Sequence, residues 1–259
     1  MDIYPKISLI FVNYRSVFHL TKALESLFYF EKESNLFEVI VVNNDSSESE
    51  ALLELHKKFQ FFLIQNNRNR GFGAGNNIGA KRAQGSILGF INPDIIWTGK
   101  HLSHIEELFH EKKEMGVLGM RILDKEGEEE EWSLGKSPSL ARLLKNNMFF
   151  QRKELSPEWV SGGALFIRKD LFSSLFGFDE QFFLYFEDVD LCRRVLAEGF
   201  SVLSSSQFSL IHLGGQSKHS TILQKQQFYA SQKKYFKKHR PAWESKTLVF
   251  FHWIKQWFK

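Results

Sequence analysis

Four short apolar runs, at 7–12, 39–42, 61–64 and 87–91, are separated by stretches whose apolar residues recur at helical spacing. Each run is too short for a helix and rich in Ile, Val and Phe, so each reads as a strand buried on both faces. Leu20, Leu24, Leu27 and Phe28 mark one intervening helix, Leu52, Leu55 and Phe59 a second, and Leu102, Ile105, Leu108 and Phe109 a third. Such alternation predicts an α/β fold with a single, mostly parallel, Rossmann-like sheet flanked by helices. It also constrains where chemistry can lie, because ligands of these sheets bind outside the carboxyl ends of the strands. The loops to search are therefore 13–16, 43–47, 66–75 and 92–94.

The second half is less regular. Residues 124–158 hold an acidic run at 128–131 and little periodicity, which reads as a long excursion or lid. A further strand is expected at 164–167 and a last one at 208–212. Between them, 177–190 mixes aromatics and carboxylates and leads into a helix with Val189, Cys192, Val195 and Leu196 on one face and Gly199 as its stop.

Composition excludes several classes. With 259 residues, 43% hydrophobic and 25% charged, the chain can bury a full core and is neither disordered nor collagen-like. One cysteine, Cys192, excludes an internal disulfide and suits a reducing compartment. The first apolar run is too short for a secretory signal, and no stretch approaches the roughly 18 apolar residues that span a bilayer. The expected location is cytoplasmic, soluble or at a membrane surface. Net charge is +4, but 222–259 alone carries nine basic residues against Glu244, so this tail is +8 and the remainder −4.

Several strand-end loops carry residues with chemical potential. Asn13-Tyr14-Arg15 and Asn43-Asn44-Asp45-Ser46-Ser47 offer amides, a carboxylate and hydroxyls that suit a nucleobase and ribose, although a serine there also suits a helix cap. Asn69, Arg70, Gly71 and Asn76 belong to a basic, glycine-rich stretch whose backbone amides would contact a diphosphate, or simply form a turn. Asn92-Pro93-Asp94 follows a strand directly, which places a carboxylate for Mg²⁺ or Mn²⁺, or again makes a turn. Asp179, Glu180, Glu187, Asp188 and Asp190 lie among Phe and Tyr residues, and carboxylates against apolar rings have raised pKa values that suit a general base. Asp188 is the best candidate, with Asp190 a cap or helix-face acid. His212 ends an apolar strand beside glycines, within reach of a metal or phosphate.

Taken in order, VNY (12–14), VVNNDSS (41–47), NRGFGAGNNIG (69–79), INPD (91–94), SGGALFIRKDLF (161–172), GFDEQFFLYFEDVDLCRR (177–194) and HLGGQS (212–217) resemble the family 2 inverting glycosyltransferases of the GT-A fold. The likeness is greatest to their rhamnosyltransferase-like branch and spans about residues 6–220. The resemblance implies a GT-A domain at 1–221 that binds a nucleotide-diphosphate sugar through its amino half, with 222–259 as a basic, aromatic helical tail. Asp94 would match the metal-binding acid, His212 a histidine near metal and diphosphate, and Asp188 the catalytic base. Asn13, Tyr14, Asn43, Asn44, Asp45, Asn69, Arg70, Gly71, Asn76, Asn92 and Asp94 would form the donor side. Gly162, Gly163, Asp179, Glu180 and Glu187 would orient sugar or acceptor hydroxyls. Asn43 stands where the family often has a base-contacting aspartate, and Asn92 replaces the first acid of Asp-x-Asp, so metal affinity rests more on Asp94.

The implied activity is metal-dependent transfer of a hexosyl or deoxyhexosyl group, such as rhamnose, to a glycan or lipid-linked acceptor in cell-surface polysaccharide synthesis. A non-catalytic glycan-binding module is the alternative, but it would not need Asp94, Asp188 and His212 together. The tail pattern is that of an interfacial helix, with Phe250, Trp253, Ile254, Trp257 and Phe258 on one face, and it suggests an anionic membrane. Packing on the body or in a homodimer is its other explanation. Nucleic acid is disfavoured, since no nucleic-acid motif accompanies the basic residues.

Overall fold

A computed structural model describes residues 5–33, 35–66, 68–144, 157–214 and 222–257, with the side chains of 206 and 254–257 excepted. Part of the excursion (145–156), positions 215–217 of the last motif, and the tail residues Ile254, Trp257 and Phe258 as side chains lie outside this description.

The chain runs β1 (Ile7–Asn13), α1 (Val17–Phe30), β2 (Phe37–Asn43), α2 (Ser49–Lys58), β3 (Phe62–Gln65), α3 (Phe72–Arg82), β4 (Ile87–Ile91), β5 (Ile95–Trp97) and α4 (Leu102–Glu111). It continues with β6 (Met115–Leu123), β7 (Leu134–Gly135), α5 (Leu140–Leu144), β8 (Trp159–Val160), β9 (Ala164–Arg168) and α6 (Lys169–Ser174). Last come α7 (Glu187–Ala197), β10 (Ser201–His212), α8 (Ile222–His239) and α9 (Ala242–Trp257). Eight strands form one sheet in the order β3-β2-β1-β4-β9-β6-β10-β5, and β7 and β8 form a small hairpin-like pair beside it.

Successive side chains of a strand point to opposite faces, so a strand covered on both sides must be apolar throughout. In β1, Ile7, Leu9 and Phe11 enter the core shared with α1, α2 and α4, while Ile10 enters the core shared with α3, α7 and α8. β1 to β4 pair in parallel as the alternation predicts. The carboxyl half departs from that pattern. β9 lies antiparallel between β4 and β6, with Ala164 opposite Ile91 and Arg168 opposite Ile87. The reason is where the chain re-enters the sheet. It leaves at the carboxyl end of β6 and returns beside the carboxyl end of β4, so β9 runs back along the sheet in the opposite direction. Both ends of the excursion are thereby held at the edge where ligands bind.

The basic tail is also part of the body. Tyr235, Phe236 and Leu248 are buried in the second core, and the Ser231 hydroxyl donates to Leu184 O at 2.8 Å. The break at 221 marks a change of charge rather than an end of the core. Beyond it, α9 leaves Trp243, Phe250 and Trp253 exposed, at 62%, 56% and 53%. No helix among the described residues is long and apolar enough to cross a membrane.

Candidate active site

A cavity of about 530 Å³ opens at the carboxyl edge of the sheet. Tyr14, Asn92, Asp94, Gly162, Gly163, Glu187, Asp188 and His212 line it, so eight residues proposed from sequence converge there. Register explains the meeting of Asp94 and His212. β5 pairs antiparallel with β10 so that His212 faces Ile95, and Leu213 N donates to Asp94 O at 2.9 Å. Their side chains meet at 3.0 Å between His212 Nε2 and Asp94 Oδ2. Burial alone would raise Asp94, but the hydrogen bond and charge of His212 outweigh it and hold the carboxyl below its usual range. Burial likewise pushes His212 down, and its bonds to Asp94 and Glu130 more than reverse this.

Asp188 stands in the first turn of α7. Its Oδ2 accepts from Gly162 N and its Oδ1 from Val189 N, each at 2.8 Å. The approach depends on Gly162, where a Cβ would already lie 3.0 Å from the Phe72 ring and 3.6 Å from Asp188 Cβ. Burial raises the Asp188 pKa, and the N–H bonds only partly offset this. Glu187 is more deeply buried, and desolvation together with the Asp188 charge pushes it well above the carboxylate range. Its Oε2 has no hydrogen-bond partner among the described residues, nor do Asp94 Oδ1 and His19 Nδ1.

The turn into α7 is strained. Tyr185 and Phe186 both have φ +69°, a left-handed conformation that costs bulky residues on the order of 1–3 kcal/mol each. α8 holds it in place. Phe228 packs against Tyr185 and Phe186, with ring centroids 5.8 and 5.3 Å away, and Tyr235 lies 5.5 Å from Phe186.

Other candidates lie outside the cavity wall, and their bonds show why. Asn43 is fully buried, and its amide is used up by Asn13, the Asp45 N–H, Ser49 and Gln65. Asn13 also donates to Glu48, and Asn44 donates to Gly71 O at 3.1 Å. These three asparagines brace the loops from behind, while Asp45 caps the turn at Ser47 and binds Arg15. In the glycine-rich stretch two backbone amides already have partners within the protein. Gly71 N donates to Asn69 Oδ1 and Phe72 N to Phe183 O, so these amides at the start of α3 are occupied. Gly71 itself, at φ +88°, admits no side chain, because a Cβ would fall 2.2 Å from Phe183 O. Asn76 is buried against Phe72 O. Glu180 bonds Asn77 and pairs with Arg70, while Asp179 pairs with Lys238 of α8. Asp179 and Glu180 thus join the acceptor-side segment to neighbouring elements, and neither lines the cavity. Asp190 faces away from it, bonded to Arg194, Lys238 and His239.

Sequence reasoning missed His19, Glu130, Trp132, Trp159, Gln224 and Phe228. All but Glu130 line the cavity, and Glu130 bonds His212 directly. The signal for Glu130 and Trp132 was a tryptophan set in an otherwise acidic run, which a purely solvated face would not contain.

Among the described residues no three His, Cys, Asp or Glu side chains are arranged to enclose a metal. Asp94 and His212 supply one oxygen and one nitrogen donor, and the buried Asp94 Oδ1 lacks a partner. Such a partial set fits Mg²⁺ or Mn²⁺, which take few protein ligands when phosphates supply the rest.

The solved structures that share this fold are GT-A glycosyltransferases. The pattern of glycosyl transferase family 2 matches residues 8–176, and the chain belongs to that family. It is 27% identical over 248 residues to the O-antigen biosynthesis protein RfbC of Myxococcus xanthus, covering 88% of this chain and 19% of that protein. It is 25% identical over 224 residues to the rhamnosyltransferase WbbL of Escherichia coli (strain K12), covering 79% and 82% respectively. Among solved structures, the mannosyltransferase PcManGT from Pyrobaculum calidifontis, in complex with GDP-Man and Mn²⁺, matches with TM-score 0.67 at 14% identity. That match covers 92% of this chain and 64% of the other and shows the shared fold. The chain therefore spans about a fifth of the length of the Myxococcus relative and less than two thirds of PcManGT.

Proposed function

We propose that this chain is an inverting glycosyltransferase that moves a sugar from a nucleoside-diphosphate donor to a hydroxyl of a glycan or lipid-linked acceptor. The names of the relatives, O-antigen biosynthesis protein and rhamnosyltransferase, motivate cell-surface polysaccharide assembly as the setting and rhamnose as the first sugar to test. The observation that carries the reading is Asp188, a half-buried carboxylate on the cavity wall, anchored by two backbone N–H groups and with its pKa raised by desolvation. Its position is set by the backbone rather than by a flexible partner, and its raised pKa suits a base working near neutral pH.

The chemistry is a single displacement. The acceptor oxygen forms a bond to the anomeric carbon as Asp188 takes its proton. The bond from that carbon to the donor phosphate oxygen breaks, and the nucleoside diphosphate leaves. One displacement inverts the anomeric centre. Asp94 and His212 would hold Mg²⁺ or Mn²⁺, which when bound supplies charge neutralisation for the diphosphate. Tyr14 and Arg15 line the donor side of the cavity, and Glu187 presents a buried carboxyl to a sugar hydroxyl.

The test is a thermal-shift panel of uridine, thymidine and guanosine diphosphates and their sugars, with and without Mn²⁺, on wild type and Asp188→Asn. Stabilisation by one nucleotide in both proteins, with transfer reduced about 10²–10⁴-fold in the variant, is expected. Full transfer by Asp188→Asn removes Asp188 from the mechanism. Binding of glycans with no nucleotide response would instead favour the non-catalytic module.

For location, we propose the inner face of the cell membrane. Trp243, Phe250 and Trp253 are exposed on α9 of a tail whose net charge is +8, a combination that suits an anionic lipid surface.

A further inference from the structure

His212 has a partner on each ring nitrogen. Nε2 faces Asp94 Oδ2 at 3.0 Å, and Nδ1 faces Glu130 Oε1 at 3.1 Å. The second oxygen of Glu130 accepts from the Trp132 indole N–H at 2.9 Å, and the Trp132 ring stands edge-on to the imidazole with centroids 5.1 Å apart. This arrangement follows from the sheet. Beyond β6 the chain turns at Gly127 and folds back, so that Leu123 bridges Glu129 and Glu130 N donates to Ile122 O at 2.9 Å. Ile122 in turn pairs with Leu210 of β10, two residues before His212. Glu130 and Trp132 are thus delivered to His212 by strand register.

A neutral imidazole carries one N–H, and a nitrogen that coordinates a cation must be bare. An ionised carboxylate can only accept, so a cation at Nε2 takes the place of the hydrogen that Asp94 would otherwise accept there, and Glu130 keeps the remaining ring hydrogen on Nδ1. We propose that Glu130, itself held by Trp132, is a positioning residue that fixes His212 with Nε2 directed to the divalent cation shared with Asp94. The proposal rests on the metal reading of Asp94 and His212 and assigns a role to two residues from the acidic run. It also makes the folding of that run a condition for a complete metal site.

A glutamine at 130 cannot serve both neighbours. Whichever way its amide turns, the NH₂ group meets either the imidazole N–H or the indole N–H, and one donor loses its acceptor. Removing the indole N–H relieves that conflict. The experiment is an electron paramagnetic resonance titration of Mn²⁺ on the full chain, with the nucleoside diphosphate chosen by the thermal-shift panel present at saturation. Wild type, Glu130→Gln, Trp132→Phe and the double variant are compared, each with its unfolding temperature. We expect Glu130→Gln to weaken Mn²⁺ binding roughly tenfold to hundredfold while the protein stays folded. The double variant should regain part of that loss, which general loosening of the run would not produce. If Glu130→Gln does not fold, Trp132→Phe carries the test, with weaker Mn²⁺ binding expected through a less constrained Glu130. Wild-type Mn²⁺ affinity in Glu130→Gln, or in Trp132→Phe where that variant stands in, overturns the proposal and leaves the metal reading intact. A wild-type chain that responds to nucleotide but binds no Mn²⁺ overturns the metal reading and this proposal together.

Discussion

Replacing Asp190 with asparagine tests whether the tail helix α8 is fastened to α7, the helix that carries Asp188. The Asp190 side chain is fully buried, with Oδ2 2.8 Å from Arg194 Nε and Oδ1 2.7 Å from Lys238 Nζ and 2.6 Å from His239 Nε2. Burial alone would raise its pKa. The His239 bond, the Arg194 charge and Lys238 outweigh burial and bring it from 3.8 to about 2. At 1.36 kcal/mol per unit, that difference is worth about 2 kcal/mol of folding free energy while the group is ionised. Asparagine keeps the shape and removes the charge, leaving Arg194 without its counter-ion and Lys238 with Asp179 alone. The loss at neutral pH should therefore be at least about 2 kcal/mol and approach the roughly 3–5 kcal/mol typical of a broken buried pair. The sign of the pH dependence is fixed, because the folded-state pKa lies below the unfolded one. The stabilisation is complete above about pH 4 and is lost as pH falls through about 2, so the two proteins should converge in stability across that window. Urea unfolding followed by far-ultraviolet circular dichroism at several pH values measures the gap, and hydrogen exchange over 222–239 reports whether α8 opens first. Equal stability at neutral pH, or a gap that does not narrow in acid, would refute this account of how α8 is held.

Two further outcomes are expected. Because burial raises Asp188 and the base must be ionised to accept a proton, the acid limb of kcat/KM should fall above the ordinary aspartate range. A limb at or below about pH 4 would separate Asp188 from the proton transfer. Replacing Trp243, Phe250 and Trp253 together with alanine should abolish co-sedimentation with phosphatidylglycerol vesicles, since burying each such side chain in an apolar phase contributes on the order of 1.5–3 kcal/mol. Undiminished sedimentation, or equal sedimentation of wild type with neutral vesicles, would dismiss the membrane role of α9.

The family and the strand-end location of the site were legible in the sequence because both depend on local pattern. Alternation of short apolar runs with helical spacing dictates a wound sheet, and Asp94, Asp188 and His212 each lie at the end of an element that the pattern delimits. Residue type does not reveal where the fold supplies a polar group with partners of its own. Asn43 is polar and at a strand end, yet four neighbours consume its amide. The Gly71 and Phe72 amides likewise serve Asn69 and the Phe183 carbonyl, the latter from more than a hundred positions away.

Hydrogen-bond saturation is a property of three-dimensional neighbours, so no spacing rule within 43–76 could reveal it. The same holds for Glu130, an acid in an acidic run until the β6–β10 register sets it against His212. The tail shows the division within one segment. Its charge and aromatic content were determined by sequence alone. Only the tertiary structure decided that α8 is bound to α7 through buried Asp190 while α9 keeps its aromatic face exposed, because burial depends on which surfaces the rest of the chain brings to meet it.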